Sequence, residues 1–229
     1  NNYLFDPGTD KIAFADEYIT IPTESVFDLI LFRENPLFQF TRPQQKSAQH
    51  LLFGYEGVTE PDSLQIEMIS PKPEEFESRI TQDREKDTLH YWYKPALERD
   101  TLLFTAQMPG YRDTLLTRIK EMKQDSLQFS FQPTSTINFA QDLLILPNIP
   151  LTETNESLIS IVDKDTVQVP FTTAYNSWTN EFQISFDKKE RETYRVTALP
   201  GAFTGFFGKV NDTLRTQVRT QAYADYGNL

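Results

Sequence analysis

The hydrophobic residues of this chain fall in short runs, most of which alternate with polar residues in the two-residue period of a β-strand. Leu64, Ile66 and Met68 share one face of such a run, and residues 127–131 repeat the pattern. Turn-forming segments that contain Pro, Asn and Asp separate the runs. The pattern predicts an all-β protein built of antiparallel strands.

A three-residue word marks where many of the runs begin. It consists of Asp, then Ser or Thr, then an apolar residue, and the copies that begin at 87, 100, 113 and 125 are 13, 13 and 12 residues apart. The even spacing is typical of antiparallel strands in succession. The strands predicted from it cover residues 89–93, 102–106, 114–122 and 127–131. Leu115, Ile119 and Met122 also fit helical spacing, but the word and its spacing favour a strand.

Two segments depart from simple alternation. Residues 26–32 are apolar on both faces, which predicts a strand that is buried on two sides. Residues 74–86 are charged and lack an apolar stripe, so we expect a long loop or a short exposed helix there.

A second series of runs begins near residue 134. The strands predicted in it cover residues 143–146, 158–162, 166–171, 182–186, 194–198, 199–203 and 213–220. About seven short strands within about 85 residues are typical of an immunoglobulin-like sandwich. The sequence therefore predicts tandem antiparallel β-sandwich domains of the immunoglobulin-like kind, the second packed around Phe171, Phe182, Ile184, Phe186, Tyr194 and Val196.

Composition narrows the classes of function. The 229 residues suffice for one large or two ordinary domains, and their formal charge is −11. That charge argues against nucleic acid as a partner and against docking on an anionic bilayer. The chain has no cysteine, so disulfides, thiol catalysis and Cys-ligated zinc are excluded. No apolar run approaches the roughly 20 residues that a membrane-spanning helix needs.

The second series carries a resemblance to a known family. The stretch 194–203 reads Tyr-Arg-Val-Thr-Ala-Leu-Pro-Gly-Ala-Phe, and Phe207-Gly208 and then Asn-Asp-Thr-Leu at 211–214 follow it. This pattern resembles the bacterial Ig-like domain named after the surface-layer protein SbsA. As a whole, the chain resembles large Ig-like proteins of the Bacteroidetes cell envelope, many of them lipoproteins, in which transthyretin-like or carboxypeptidase-regulatory-like modules flank such a domain.

The resemblance implies a division of the chain into four parts. Residues 1–33 would be the tail of a preceding transthyretin-like module, 34–133 a β-sandwich, 134–222 the SbsA-type Ig-like sandwich, and 223–229 the entry to a following module. The first residue is Asn and the last residues form no cap, so we expect a piece of a longer protein. Asn2 and Asp6 would be two oxygen ligands of a partial calcium loop, although an Asx-turn explains them more simply. We expect no other cofactor.

The Asp-Ser/Thr-apolar word also resembles the acceptor motif for protein O-glycosylation in Bacteroidetes. The hydroxyls that qualify by residue type are Ser63, Thr88, Thr101, Thr114, Ser126, Thr166 and Thr213. The alternative is that Asp ends a turn and Thr or Ser begins a strand, each by its own propensity, and this explains the spacing better.

Candidate catalytic chemistry is sparse. His50 and His90 are 40 residues apart in sequence and lie in no motif, so each is interpreted as structural. The sequence contains no His-Glu-x-x-His, no Gly-x-Ser-x-Gly and no phosphate-binding glycine loop. We therefore predict a protein that is not an enzyme.

Aromatic residues offer two candidate contact sites. Residues 90–93 read His-Tyr-Trp-Tyr and would suit sugar stacking, but alternation favours core packing for Tyr91. Trp178 lies in a polar loop and is the better candidate for an exposed contact with a protein partner.

These observations support one leading hypothesis and two alternatives. The leading hypothesis is a non-catalytic spacer, scaffold or accessory subunit of an outer-membrane or surface assembly, with envelope proteins as partners. The alternatives are a carbohydrate-binding module that uses Trp92 and Trp178, and an appendage of an enzyme whose catalytic domain lies outside this chain.

Overall fold

The computed structural model describes residues 10–15, 18–22, 24, 26–32, 37–57 and 59–225. Almost all regular structure in these residues is β. The strands are β1 (Gln39–Phe40), β2 (Gln44–Ser47), β3 (His50–Glu56), β4 (Gln65–Met68), β5 (Glu77–Gln82), β6 (Thr88–Lys94), β7 (Thr101–Met108), β8 (Tyr111–Arg118), β9 (Phe129–Gln132), β10 (Leu143–Pro147), β11 (Leu151–Thr154), β12 (Ile159–Val162), β13 (Phe171–Asn176), β14 (Glu181–Phe186), β15 (Thr193–Ala198), β16 (Phe203–Gly205) and β17 (Leu214–Arg219). Every pair of strands within the sheets is antiparallel. The predicted all-β fold is confirmed.

The first eight strands form two sheets. One has the order β1–β3–β6–β5, with β2 also paired to β3, and the other has the order β4–β7–β8. Lettered in sequence, with β1 and β2 as two halves of strand A, these are sheets A-B-E-D and C-F-G. That is the strand order of a constant-type immunoglobulin domain. The inward side chains of both sheets form one core that includes Phe53, Tyr91 and Phe104.

The first strand of this sandwich is split where the chain passes close to β3. Thr41 lies between β1 and β2, and its N–H donates to the carbonyl of Gly54 at 2.8 Å. A Cβ atom on Gly54 would lie 2.6 Å from the hydroxyl oxygen of Thr41, which is closer than two such atoms can approach. Glycine at this position therefore lets the two strands pass each other.

The strands from β9 onward repeat the same order. One sheet is β13–β14–β10–β9, and the facing sheet is β12–β15–β17, with the short pair β11–β16 beside them. These are again D-E-B-A and C-F-G. Their core includes five of the six residues expected there as buried members, and Phe171 packs against it from a partly buried position. The tandem immunoglobulin-like arrangement follows from this strand order.

Tyr194 supplies a second immunoglobulin feature. It is the second residue of strand F of the second sandwich, β15, and its side chain is almost fully buried. Its hydroxyl oxygen accepts a hydrogen bond from the backbone N–H of Lys189, five residues earlier, at 2.7 Å. This is the tyrosine corner of immunoglobulin-like domains, which fixes the turn between strands E and F.

The junction between the sandwiches differs from the predicted division at residue 133. The strand predicted as the last of the first unit is β9, which pairs with β10 of the second sandwich in the register Ile145 to Phe131. Its Phe129 and Phe131 pack against the second core. The regular strands of the first sandwich end with β8, and residues 119–128 form the linker.

Three local predictions have different outcomes. Residues 114–122 were predicted as a strand rather than a helix, and β8 confirms this for residues up to Arg118. Residues 74–86 were expected to be loop or helix, which is wrong, because β5 lies within them and pairs with β6. Residues 166–171 were predicted as a strand, but the regular pairing within residues 166–170 is one isolated bridge, from Gln168 to Val162. Strand β13 begins only at Phe171.

The prediction of a doubly buried strand at residues 26–32 is wrong. These residues are exposed, and their regular pairing is a single antiparallel bridge between Ile12 and Phe32. The apolar run is real, but no sheet of either sandwich covers it. The calcium interpretation of Asn2 and Asp6 lies outside the described residues.

Candidate functional site between the two sandwiches

The outer face of the first sandwich's A-B-E-D sheet is where the two domains meet. Strand β6 buries three consecutive residues, Tyr91, Trp92 and Tyr93. Because side chains alternate along a strand, Tyr91 and Tyr93 point into their own core while Trp92 points away from it. Trp92 is only 2% exposed, since it forms a separate apolar cluster with Ile149 and Phe206 of the second sandwich.

Trp178 makes the second contact between the domains. It lies in the turn between β13 and β14, packs against the first core, and donates from its indole Nε1 to the side-chain oxygen of Gln82 at 2.7 Å. Its backbone carbonyl accepts from the N–H of Gln82, also at 2.7 Å. The expectation that Trp178 is an exposed aromatic is wrong: the side chain is partly buried against the neighbouring domain.

Arg84 holds the same turn from the first sandwich. Its Nη2 donates to the backbone carbonyl of Asn180 at 2.6 Å, and its Nε lies 3.3 Å from Oε1 of Glu181. The side chain of Asn180 is buried and donates to the carbonyl of Pro147. The guanidinium fork therefore links the end of β5 to the turn before β14.

The linker is hydrogen-bonded to both domains. Its first half is held by the first sandwich, for example through Lys120 N–H to the side-chain oxygen of Gln45 at 2.8 Å. Its last residues are held by Asn148 of the second sandwich, which bonds to the carbonyl of Ser126 and to the N–H and carbonyl of Gln128. A linker that is bonded in this way restricts the angle between the domains.

A chain of four side chains lies beneath the cleft between the domains. Nδ1 of His50 is 3.3 Å from Oδ2 of Asp125, and Nε2 of His50 is 2.8 Å from Nδ1 of His90. Nε2 of His90 is in turn 3.0 Å from Oδ2 of Asp83. The two imidazoles also stack with Trp92, and the ring centroids of His50 and Trp92 are 3.5 Å apart. The structure thus joins two histidines that lie 40 residues apart in the sequence and share no motif.

Two neutral histidines cannot satisfy all three contacts between these four side chains. Three contacts each need one proton, but two neutral imidazoles carry only two. The two shorter contacts are satisfied when both histidines donate from Nε2, which leaves Nδ1 of His50 without a proton opposite Asp125. The Asp125 contact is also the longest, and the same Oδ2 already accepts from the hydroxyl of Ser47 at 2.8 Å.

The electrostatic surroundings favour this neutral pair. Burial, reinforced by His90, lowers the pKa of His50 to about 3, despite the opposing effect of Asp125. Burial also lowers the pKa of His90. Burial acts to raise the pKa of Asp83, but hydrogen bonds from the N–H of Glu85, from His90 and from the N–H of Lys86 bring it below its ordinary value. The chain is therefore a neutral histidine pair held by an ionised Asp83.

Above this chain lies a cleft of about 730 Å³ between the two domains. Residues 81–85 and Lys46 line it from the first sandwich, and residues 146–148, 179–181 and part of β9 line it from the second. Its volume falls within the range of small-molecule sites. Most of its lining side chains are polar, so the cleft suits a polar ligand.

The candidate acceptor hydroxyls are spread over both sandwiches and do not form one site. Thr114, Ser126, Thr166 and Thr213 are exposed, whereas Ser63, Thr88 and Thr101 are half-buried. The hydroxyl of Thr166 donates to the carbonyl of Asp165 at 2.6 Å. Their modification stays a prediction.

Two classes of feature are absent from the described part of the chain. Among those residues, no group of three or more His, Cys, Asp or Glu side chains is arranged to hold a metal ion. Nor does any helix in the described ranges have the length and apolar character needed to cross a bilayer.

One stretch of the sequence indicates that β6 is covered on both faces. The run His-Tyr-Trp-Tyr at 90–93 has aromatic rings at every position, so neither face of β6 is suited to water. Core packing explains Tyr91, as predicted, but it leaves Trp92 without an explanation. A covering domain supplies that explanation.

Comparison with known proteins gives distant structural similarities. No protein-family model matches the chain, and no curated protein has a significantly similar sequence. Domains 5–6 of the S-layer protein SbsC are 9% identical over 81% of this chain and 99% of theirs, with a TM-score of 0.32. SGBP-B of the Bacteroides ovatus mixed-linkage glucan utilization locus, in complex with a mixed-linkage heptasaccharide, is 12% identical over 77% of this chain and 42% of its own, with a TM-score of 0.24.

The tandem Ig repeats of Dlar are a third similar structure, at 12% identity over 82% of this chain and all of theirs, with a TM-score of 0.23. All three TM-scores are low. The immunoglobulin-like assignment therefore rests on the strand order of the chain itself.

Proposed function

We propose that this chain is a non-catalytic, rigid two-domain segment that acts as a spacer or scaffold in a bacterial envelope protein. The observation that carries the proposal is the interface between the sandwiches, which is held by three separate groups of contacts. The Trp92 cluster, the Trp178 and Arg84 contacts, and the bonded linker each restrict the angle between the domains. Interfaces of this kind distinguish a fixed spacer from two domains on a flexible tether.

The proposed location is the cell envelope, with outer-membrane or surface proteins as partners. The charge of −11 supports an exposed, highly soluble surface, and the strand order supports a module that repeats in tandem. Purification of the native protein in mild detergent would identify such partners. Recovery without any envelope protein would contradict the role as a subunit.

Carbohydrate binding by Trp92 and Trp178 receives no support from the geometry. A sugar-stacking platform needs an exposed ring face, but Trp92 is almost fully buried and Trp178 packs against the first core. The third hypothesis, an appendage to an enzyme, remains a proposal about sequence outside this chain.

Small-angle X-ray scattering of the whole chain tests the rigid spacer. We expect the wild-type curve to fit one arrangement of the two domains. The double variant Trp178→Ala/Arg84→Ala removes contacts on one side, so its maximum dimension should increase and its curve should require several arrangements. The matched control is Arg112→Ala/Ile69→Ala, two exposed changes on the opposite sheet of the first sandwich, which should leave the curve unchanged. A wild-type curve that already requires many arrangements would overturn the proposal.

A further inference from the structure

The interdomain cleft is a feature that the spacer role does not require. The tight contacts described above hold the two sandwiches together, yet they leave an opening of about 730 Å³ beside them. An opening of this size accommodates a ligand of two or three sugar rings, within the usual range for small-molecule sites.

The charges around the cleft exclude several ligand classes. Its ionisable residues, the histidines aside, are Lys46, Arg84, Asp83, Glu85, Asp125 and Glu181. Four acidic groups against two basic ones disfavour an anion. Asp83, Asp125 and Glu181 already accept bonds from protein donors, which leaves the carboxylate of Glu85, and one carboxylate is too few for a cation cage. A neutral ligand remains.

Polar groups with spare capacity line the cleft. The hydroxyl oxygen of Thr179 is buried and has no hydrogen-bond partner among the described residues. Lys46 forms no ion pair within the described part of the chain. Ser130 and Gln132 lie on one face of the exposed edge strand β9 and also border the cleft. Together, Lys46, Ser130 and Gln132 offer both donors and acceptors at the cleft. The unpartnered hydroxyl of Thr179 is buried, and such a group is costly unless a partner reaches it.

We propose that this cleft binds a neutral, polyhydroxylated ligand, namely a short neutral oligosaccharide. The hydroxyl groups of such a ligand both donate and accept, which matches the ammonium of Lys46, the carboxamide of Gln132 and the hydroxyl of Ser130, all of which line the cleft. Trp92 borders the cleft, but its ring is almost fully buried in the interface and offers no exposed stacking face. Both domains contribute residues, so binding also stabilises their relative arrangement.

Amide chemical shifts of the ¹⁵N-labelled whole chain test this. The neutral probes are cellotriose, xylotriose and maltotriose, and the anionic probe of the same length is trigalacturonate. At about 10 mM, a site with a Kd of about 1 mM is mostly occupied. We expect at least one neutral probe to shift the amides of residues 46, 125, 130–132 and 179–181. No shift there with any neutral probe, or a shift with trigalacturonate alone, overturns the proposal.

Variants decide whether the cleft itself is responsible. Lys46→Ala/Gln132→Ala removes two groups that hold no interface contact, and we expect about tenfold weaker binding, since each hydrogen bond contributes on the order of a factor of three. The control is Gln65→Ala/Arg112→Ala in the exposed groove on the opposite sheet, which should bind as the wild type does. Equal binding by wild type and the cleft variant overturns the assignment. Because neither variant touches the interface, a negative result leaves the spacer proposal intact.

Discussion

Strand E of the first sandwich is β6 and strand E of the second is β14. The two occupy the same place in the same strand order but have different environments. In β14 the buried residues are Phe182, Ile184 and Phe186, in strict alternation with partly exposed polar ones. In β6 the corresponding inward residues are joined by Trp92, which is buried on the opposite face. One strand therefore has a single covered face, and the other has two.

The difference shows which residue types occupy an outer sheet face when a second domain covers it. An outer sheet face that meets water carries residues such as Gln183 and Ser185. The same face under a second domain carries His90 and Trp92, with ring stacking and a hydrogen-bonded chain in place of solvent. Two copies of one fold thus diverge where one of them is covered, and four measurements would break or sharpen this contrast.

The largest effect is expected from Trp92→Ala. The variant removes a fully buried indole from the cluster with Ile149 and Phe206, so it should lower the free energy of unfolding by about 3–5 kcal/mol. Ser185→Ala changes the matching position on β14 and should cost less than about 0.5 kcal/mol. Urea unfolding of both variants measures the difference, and equal losses would show that the covered face contributes no special stability.

The second effect is a dependence of stability on pH that arises in the first sandwich, because both histidines of the chain lie there. The unfolded state binds a proton at His50 near pH 6.5, whereas burial delays this in the folded state to about pH 3. Stability is therefore fully present above pH 6.5 and decreases as the pH falls toward 3. Between pH 7 and 5 the loss from His50 should be about 2 kcal/mol.

Urea unfolding at several pH values measures this loss, and His50→Gln/His90→Gln serves as the comparison. The variant should be less stable at pH 7 but should vary little between pH 7 and 5. A wild-type protein with the same flat profile would mean that folding does not lower the pKa of His50.

The third effect belongs to the second sandwich alone. Tyr194→Phe removes the hydroxyl that accepts from Lys189 N–H, and we expect a loss of about 1 kcal/mol, the net contribution of one hydrogen bond. The first sandwich has Leu102 at the matching position of β7 and so lacks this corner. Tyr223→Phe, at an exposed tyrosine, is the control and should be neutral. A neutral Tyr194→Phe would remove the corner as a stabilising difference between the domains.

The smallest effect concerns the candidate acceptor hydroxyls. If the native protein is O-glycosylated, the added sugars should lie on the exposed Thr114, Ser126, Thr166 and Thr213, with little change in stability because these side chains already face water. Peptide mapping by mass spectrometry of protein from its source identifies the sites. Sugars confined to half-buried residues such as Thr88 would contradict this expectation. An unmodified native protein would indicate that the repeated Asp-Ser/Thr-apolar pattern reflects turn formation alone.

Local alternation was sufficient to predict most strands. The pattern around Phe182, Ile184 and Phe186 needs only its own sheet for an explanation, and β14 forms where it was predicted. Strand β5 was missed because its residues 77–79 are exposed and charged or polar, so the pairing with β6 rather than an apolar face holds it in place.

The candidate site could not be predicted from local pattern. His50 and His90 meet because β3 and β6 are neighbours, and that pairing is a property of the whole fold. Trp178 sits in a polar loop, so its sequence context indicates exposure. Its burial depends on the angle between two domains, which no single run of residues specifies.

The linker has a mechanical consequence. Its early residues are held beside β2 and its last residues by Asn148, so a pull along the chain loads these hydrogen bonds before it loads either core. Under tension the ten residues 119–128 would peel away first, and fully extended they span about 33 Å. The junction between the domains would therefore extend under force while both sandwiches stay folded. When the force is removed, the hydrogen bonds of the linker could form again.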